Sequence, residues 1–218
     1  MERYGVMVHV PRTGGGSIRV ATGGERWCQD MMFHVADWLK ENEFDPTARL
    51  TILGHNPVDV LIRLGAADRG WIDGAFKFAF VRNPWDRVVS LFSYLRMIRL
   101  HRRSRNRGPN PLLRDFDEFV RAITDPDYPW LHKPPGGLSF YYALPQDRWL
   151  DGLDFVGRFE HLERDWHAIC EILGIPRIQL PHHNPSTHDH YRTYYNDERR
   201  ELVAGRSAHI IERFEYKF

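Results

Sequence analysis

Tyr4-Gly-Val-Met-Val-His-Val10, followed at once by Pro11-Arg-Thr-Gly-Gly-Gly-Ser17, decides how the rest of the chain is read. The first stretch is apolar and β-rich, and Pro11 stops it. A run that short fits a buried strand and is too short for a helix. A glycine-rich turn follows, and Ser17 carries a hydroxyl that can cap a helix, which Gly23-Gly24 would end or interrupt. Strand, glycine turn and helix start together make an anion site. The first N–H groups of a helix lack partners within it, and its dipole favours negative charge. Glycine lets the main chain approach phosphate oxygens without side-chain clash. Arg12 adds a fixed positive charge, and Thr13 and Ser17 add hydroxyl donors. The plainer alternative is an ordinary glycine turn between strand and helix.

Outward from this turn, strands alternate with helices. Trp27, Met31, Met32, Val35, Trp38 and Leu39 recur at helical spacing within 25–44. Leu50-Thr-Ile-Leu53 reads as a second strand, ended by Gly54-His55-Asn56-Pro57, and Pro57 launches a helix to about residue 67. Ala75-Phe-Lys-Phe-Ala-Phe-Val81 is a third strand, and Asn83 before Pro84 starts a helix through Tyr94 to about Leu100. Residues 101–111 read as a basic loop, 112–123 as an amphipathic helix and 125–137 as irregular, proline-containing chain. Residues 154–158 form a fourth strand leading into a helix over 160–173, with Gly174 just past its end. A His- and Pro-containing loop, 176–195, precedes a closing helix over 196–213. This alternation predicts one α/β domain over 1–218, a three-layer α/β/α arrangement with a central, mostly parallel sheet. Ligands of such sheets sit at the carboxyl ends of strands. Three chemically loaded turns fall there: 12–17, 54–56 and 82–87.

Composition narrows the function classes. A chain of 218 residues with 42% hydrophobic residues suits one domain with a real core. Lys plus Arg (30) balances Asp plus Glu (29), so no global pull toward nucleic acid or an anionic membrane exists, and any anion site is local. No apolar run reaches the roughly 18 residues of a membrane span. Residues 1–10 lack the long apolar core and cleavage site of a signal peptide. Cys28 and Cys170 stand in no metal or redox spacing, which reads as a reduced, cytoplasmic setting.

The second constellation is Phe80-Val-Arg-Asn-Pro-Trp-Asp-Arg-Val-Val-Ser-Leu-Phe-Ser-Tyr94. Arg82 stands at a strand end, and Ser90 lies eight positions on, near two helical turns along the next helix. A guanidinium fork and a hydroxyl can both grip a phosphate dianion. A buried Arg there needs an anionic partner. Asp86 or another acid would equally supply one as a structural ion pair.

Together, 9–18 and 78–94 resemble the two segments by which sulfotransferases bind 3′-phosphoadenosine 5′-phosphosulfate (PAPS). The closest likeness is to the branch of carbohydrate sulfotransferases and their small bacterial relatives. The resemblance implies a P-loop-like phosphate-binding turn in which Arg12, Thr13, Gly14, Gly15, Gly16 and Ser17 hold the 5′-phosphosulfate. It implies that Arg82 and Ser90 hold the 3′-phosphate, and that adenosine 3′,5′-bisphosphate is the product, with no metal required. Phe155-Val-Gly-Arg-Phe-Glu-His-Leu-Glu-Arg-Asp-Trp166 is similar to a further segment of that family, and Tyr194-Tyr195 with Phe214-Glu-Tyr-Lys-Phe218 looks like its C-terminus. Two positions depart from the pattern. Arg12 stands where the family usually has Lys, which keeps the charge but cannot donate a proton. Gly16 stands where the family often has Thr, leaving hydroxyl contacts to Thr13 or Ser17.

Sulfuryl transfer needs an in-line donor, stabilisation of charge on the leaving phosphate, and removal of the acceptor's proton. Arg12 is the candidate for the charge, and His55 for the base, because imidazole titrates near neutrality and His55 sits at a predicted strand end. A similar Gly-His in some carbohydrate sulfotransferases implies the same role. With twelve histidines, a surface or capping role is the plainer alternative, and Glu160 and Asp86 are weaker candidate bases. Arg96, Arg99, Arg102, Arg103, Arg105 and Arg107 form a basic cluster, read chiefly as a solvated helix end and loop. His182, His183, His188 and His190 read as a polar loop rather than a metal site. Trp130, Phe140, Tyr141, Tyr142 and Trp149 could line an acceptor or adenine pocket, or pack a core.

The leading reading is a PAPS-dependent sulfotransferase acting on a hydroxyl or amine, with a carbohydrate or small hydroxylated acceptor as partner. A P-loop-type nucleotide kinase is one competitor, opposed by the missing Gly-Lys-Ser/Thr triplet. A non-catalytic anion- or RNA-binding module using the basic cluster is the other.

Overall fold

The structure is a computed structural model that describes residues 4–22, 50–52, 55, 57–63, 69–101, 113–128, 144–181 and 188–218. The helix expected over 25–44, Gly54 and Asn56, Arg102 to Arg107, the aromatic residues from Trp130 to Tyr142, and His182-His183 lie outside the described residues. In chain order the elements are β1 (Gly5–Met7), α1 (Gly15–Ala21), β2 (Leu50–Ile52), α2 (Val58–Arg63), α3 (Arg69–Gly74), β3 (Phe76–Val81), α4 (Pro84–His101), α5 (Phe116–Thr124), β4 (Phe155–Arg158), α6 (Leu162–Leu173), α7 (Asp197–Arg206) and α8 (Ala208–Phe214). The chain divides into two compact units, Met1–Val81 with Arg148–Asn184, and Arg82–Asp147 with Pro185–Phe218.

The first unit is α/β. Its four strands run parallel in the order β2-β1-β3-β4. Gly5 pairs with Leu50 on one side and Phe76 on the other, and Phe78 pairs with Phe155. Parallel pairing puts all carboxyl ends at one edge, so the chain leaving β1 enters the glycine turn there, and the chain leaving β2 reaches His55. Alternation along the strands sorts side chains onto two faces. Met7, Phe76, Phe78 and Phe80 pack with Ile18 of α1 and with Trp166, Ile169, Cys170 and Leu173 of α6. Val6 packs with Ile72 and Ala75, backed by Tyr4, Val58 and Ile62. Burial on both faces is why β1 and β3 read as almost continuous apolar runs.

The segment over 155–166 is architectural. Gly157 faces the Phe80 ring, where an added Cβ would stand 2.5 Å from Cε1. The Asp165 carboxylate accepts the Arg158 N–H at 2.8 Å, satisfying a main-chain donor of β4. Trp166 is fully buried, and its Nε1–H donates to the Ile178 carbonyl at 3.1 Å. Gly174 ends α6 at φ 63°, as the glycine past that helix predicts.

The described part of the second unit is helical. Asn83 opens α4, its Oδ1 accepting from the N–H groups of Trp85 (3.1 Å) and Asp86 (3.3 Å). Asp115 and Asn196 cap α5 and α7 in the same way. Phe92 of α4 packs between Phe116 and Phe119 of α5, at 5.2 Å to each ring. Tyr195 donates its hydroxyl to the Trp85 carbonyl at 2.9 Å. Burial first, and then the charge of Asp86, raise the Tyr195 phenol well above its ordinary range, so it stays a donor.

Several elements differ from the sequence expectation, among them α3, which was not foreseen, and α5, which starts at Phe116 rather than 112. α1 starts earlier than a Ser17 cap predicts, because Gly14 at φ 90° takes the capping position and its carbonyl accepts the Ser17 N–H at 2.9 Å. The helix expected over 160–173 starts at Leu162, after a tight 3₁₀ turn over Phe159–His161. The closing helix is two, α7 and α8, broken at Ser207, whose φ of −115° lies outside the helical range.

Candidate functional site

The glycine turn is held from within the first unit. Thr13 is fully buried, and its hydroxyl donates to the Val10 carbonyl at 2.8 Å. That proton braces the turn, so Thr13's hydroxyl serves as an internal clamp. Arg12 is left-handed at φ 68°, a conformation that costs a residue with a Cβ about 1–3 kcal/mol. The surrounding contacts impose it: Thr13 clamps one side, and Gly14, also left-handed, turns the chain into α1.

Two of the three glycines answer to packing. A Cβ on Gly14 would meet the Leu162 side chain at 2.6 Å. A Cβ on Gly15 would stand 2.3 Å from Cδ2 of His9 and 2.7 Å from Cε of Met7. His9 is buried and wedged, so Gly15→Ala forces the ring or the turn aside. Overpacking of this kind costs about 1–3 kcal/mol. Thermal unfolding should show a lowered Tm for Gly15→Ala, and an unchanged Tm would mean that the His9 ring gives way without cost.

His9 also meets His55. Their rings lie 4.1 Å apart at 43°, and His55 Nδ1 is 3.2 Å from the His9 carbonyl oxygen. A carbonyl only accepts, so Nδ1 of His55 is the donor in this contact, and in the neutral imidazole the lone pair would then lie on Nε2. The main chain of His55 is tied as well, its carbonyl accepting from Nε1 of the buried Trp149 at 3.2 Å. Of the two roles the sequence offered Trp149, pocket wall or core residue, the structure shows the second.

Burial, followed by the charges of His55, Arg19 and Arg12, holds the His9 imidazole well below its ordinary value, so it stays neutral in the folded chain. A histidine with a depressed folded pKa contributes stability above its unfolded value near 6.5 and loses it as pH falls, because the unfolded chain takes up the proton first. As pH falls from 7.5 to 5.5 this site therefore withdraws stability. Urea unfolding at the two pH values should show a shallower loss for His9→Asn than for the parent chain, and equal losses would refute the assignment.

In the second unit, Arg82, Asp86 and Ser90 follow at four-residue intervals, which aligns them along one side of the start of α4. Arg82 Nε donates to Asp86 Oδ2 at 2.7 Å, the acid partner that the spacing offered as the structural alternative. Gln146 brackets the same residue: its Oε1 accepts the Arg82 N–H at 2.9 Å and its Nε2 donates to the Arg82 carbonyl at 2.8 Å. Both main-chain groups of Arg82 are thereby satisfied by one amide. Ser90 is fully buried.

The structure thus brings the glycine turn together with His55 in one unit, and Arg82 with Ser90's helix in the other. Sequence reasoning did not single out His9 or Gln146. A histidine amid buried valines was the available signal for the first, and nothing local marked the second. Glu160 is exposed in a 3₁₀ turn, and His190 accepts the Arg192 N–H at 3.4 Å, a capping role. Among the described residues, no cluster of three or more His, Cys, Asp or Glu side chains is arranged to hold a metal, and no helix is long and apolar enough to cross a membrane.

Residues 67–215 match the model of a family described as the Sulfotransferase family. The match includes Arg82, Ser90 and the 155–166 segment, and begins beyond the glycine turn and His55. A protein of Archaeoglobus fulgidus, described as an uncharacterized protein, is 30% identical over 121 residues, which is 55% of this chain and 85% of that protein.

Proposed function

Because this chain belongs to the sulfotransferase family, we propose that it moves a sulfuryl group from PAPS to a hydroxyl or amine, with His55 as general base. The observation that carries this reading is the family match through the Arg82–Ser90 segment. In the proposal, the turn from Arg12 to Ser17 cradles the 5′-phosphosulfate, and Arg82 and Ser90 take the 3′-phosphate. The whole of 1–218 acts as one sulfotransferase domain with a P-loop-like turn in a three-layer arrangement.

The chemistry then follows from the residues. An acceptor oxygen attacks sulfur as the bond from sulfur to the 5′-phosphate oxygen breaks, and adenosine 3′,5′-bisphosphate leaves. The acceptor's proton passes to Nε2 of His55, whose Nδ1–H points to the His9 carbonyl. Arg12 offsets the charge that grows on the departing phosphate. It does so as a fixed cation, with no proton to give. Thr13 supports this by bracing the turn through Val10. The acceptor is a carbohydrate or a small hydroxylated molecule.

Arg82 serves the proposal while paired with Asp86. The pair uses Nε, and a guanidinium carries five N–H donors in a rigid fork. Asp86 therefore fixes the plane of the fork. A nucleotide kinase is not favoured, since the Gly-Lys-Ser/Thr triplet is missing. Calorimetric titration should give adenosine 3′,5′-bisphosphate an affinity at least about 100-fold above that of ATP. Tight ATP binding without bisphosphate binding would overturn the proposal. An acceptor screen with labelled donor then identifies the second substrate.

A further inference from the structure

The second unit holds a tie that the sulfotransfer chemistry does not itself demand. The segment Tyr216–Phe218 returns to the residues that open α4. Asn83 caps that helix with Oδ1 and donates Nδ2–H to the Lys217 carbonyl at 3.1 Å. The Phe218 ring meets Trp85 (5.5 Å, 80°), Tyr191 (5.7 Å, 85°) and Tyr195 (5.6 Å, 82°) edge to face. The guanidinium groups of Arg192 and Arg200 stand over the same ring, at 5.7 and 5.8 Å. Arg192 also donates to the Phe218 carbonyl at 2.7 Å. The cage is fastened to α4 again: Trp85 Nε1 donates to the Arg200 carbonyl at 3.0 Å, and Tyr195 donates to the Trp85 carbonyl at 2.9 Å.

These contacts converge on Asn83 and Trp85. The residues on either side are Arg82 and Asp86, joined at 2.7 Å. A helix start is where a chain frays. A guanidinium fork discriminates between ligands only when its plane and position are held. We propose that Lys217-Phe218 is a positioning clasp that sets the Arg82 fork and thereby the preference for a nucleotide carrying a 3′-phosphate. This rests on Arg82 being the 3′-phosphate ligand. Phe218 acts through Asn83 and Trp85, and is a positioning residue rather than a catalytic one.

The test compares adenosine 3′,5′-bisphosphate with adenosine 5′-phosphate by calorimetry on the full chain. Phe218→Ala should weaken the bisphosphate about 10-fold and the monophosphate less than about twofold, with Phe218→Tyr restoring the parent ratio. A purely structural role would weaken both ligands alike. Should Phe218→Ala not fold, Asn83→Ser keeps a helix cap, removes the donor to Lys217 and should lower the same ratio. Equal losses for the two ligands, or none, in the folded variants overturn the clasp. Arg82→Gln separates the two layers. If it lowers the ratio and Phe218→Ala and Asn83→Ser do not, the clasp alone is wrong. If Arg82→Gln leaves the ratio unchanged, the 3′-phosphate assignment fails and takes the clasp with it.

Discussion

A His55→Ala variant should lose about 10²–10⁴-fold in sulfuryl-transfer rate while its affinity for adenosine 3′,5′-bisphosphate stays within about twofold. The separation follows from role, since His55 is proposed to take the acceptor's proton and is not among the proposed nucleotide ligands. His55 lies past β2, anchored by the His9 carbonyl through Nδ1 and by Trp149 through its own carbonyl. The proposed nucleotide ligands are in the turn after β1 and at the start of α4. Truncation also removes the ring tilted against His9 and one hydrogen bond, which costs roughly 1 kcal/mol of stability. Rates therefore need to be read well below Tm. His55→Asn refines the test, because its amide can still donate to the His9 carbonyl but cannot accept the acceptor's proton at neutral pH. It should be as inactive as the Ala variant. Near-parental turnover in either variant would remove His55 from the mechanism.

Arg82→Gln carries the second large effect, an expected loss of about 100-fold in affinity for adenosine 3′,5′-bisphosphate, or about 2.7 kcal/mol. The same change leaves the Asp86 carboxylate, whose side chain is 21% exposed, without the Arg82 Nε–H. Breaking a largely buried pair by removing one member costs up to about 3–5 kcal/mol of stability. Both consequences are expected, and they must be measured apart. The double variant Arg82→Gln with Asp86→Asn relieves the stranded charge, so it should recover stability without recovering nucleotide affinity. If Arg82→Gln lowers Tm while bisphosphate affinity holds, the Arg82–Asp86 pair is structural and the nucleotide is bound elsewhere.

Much of the framework was legible because its causes are local. The apolar runs around Val6, Phe78 and Val156 become β1, β3 and β4, since a strand buried on both faces needs little more than a short, β-prone stretch. Asn83 before Pro84 marks the start of α4, because a cap acts within its own turn. Ser17 misled for the same reason in reverse. Its hydroxyl is a credible cap, but the chain reverses at Gly14, where the left-handed conformation starts α1 earlier. The break at Ser207 had no local breaker of the proline type to announce it.

The site divides along the same line. Residue types and order along the chain suffice to name a glycine turn after one strand, a histidine after the next and an arginine after the third, and to name the family that residues 67–215 match. Their surroundings are long-range. Gly15 is required by the His9 ring and Gly14 by Leu162, a residue whose approach depends on how β4 and α6 fold back. Gln146 reaches Arg82 across 64 positions and Phe218 reaches Trp85 from 133 positions away. Such contacts are closed by the packing of the whole unit, and a one-dimensional pattern carries no record of them. Periodicity and capping rules describe what a residue does to its near neighbours, and so could supply the strands, helices and charged turns. Which partner Nδ1 of His55 meets, why Gly14 and Gly15 must be glycines, and what steadies Arg82 were decided only when distant segments met.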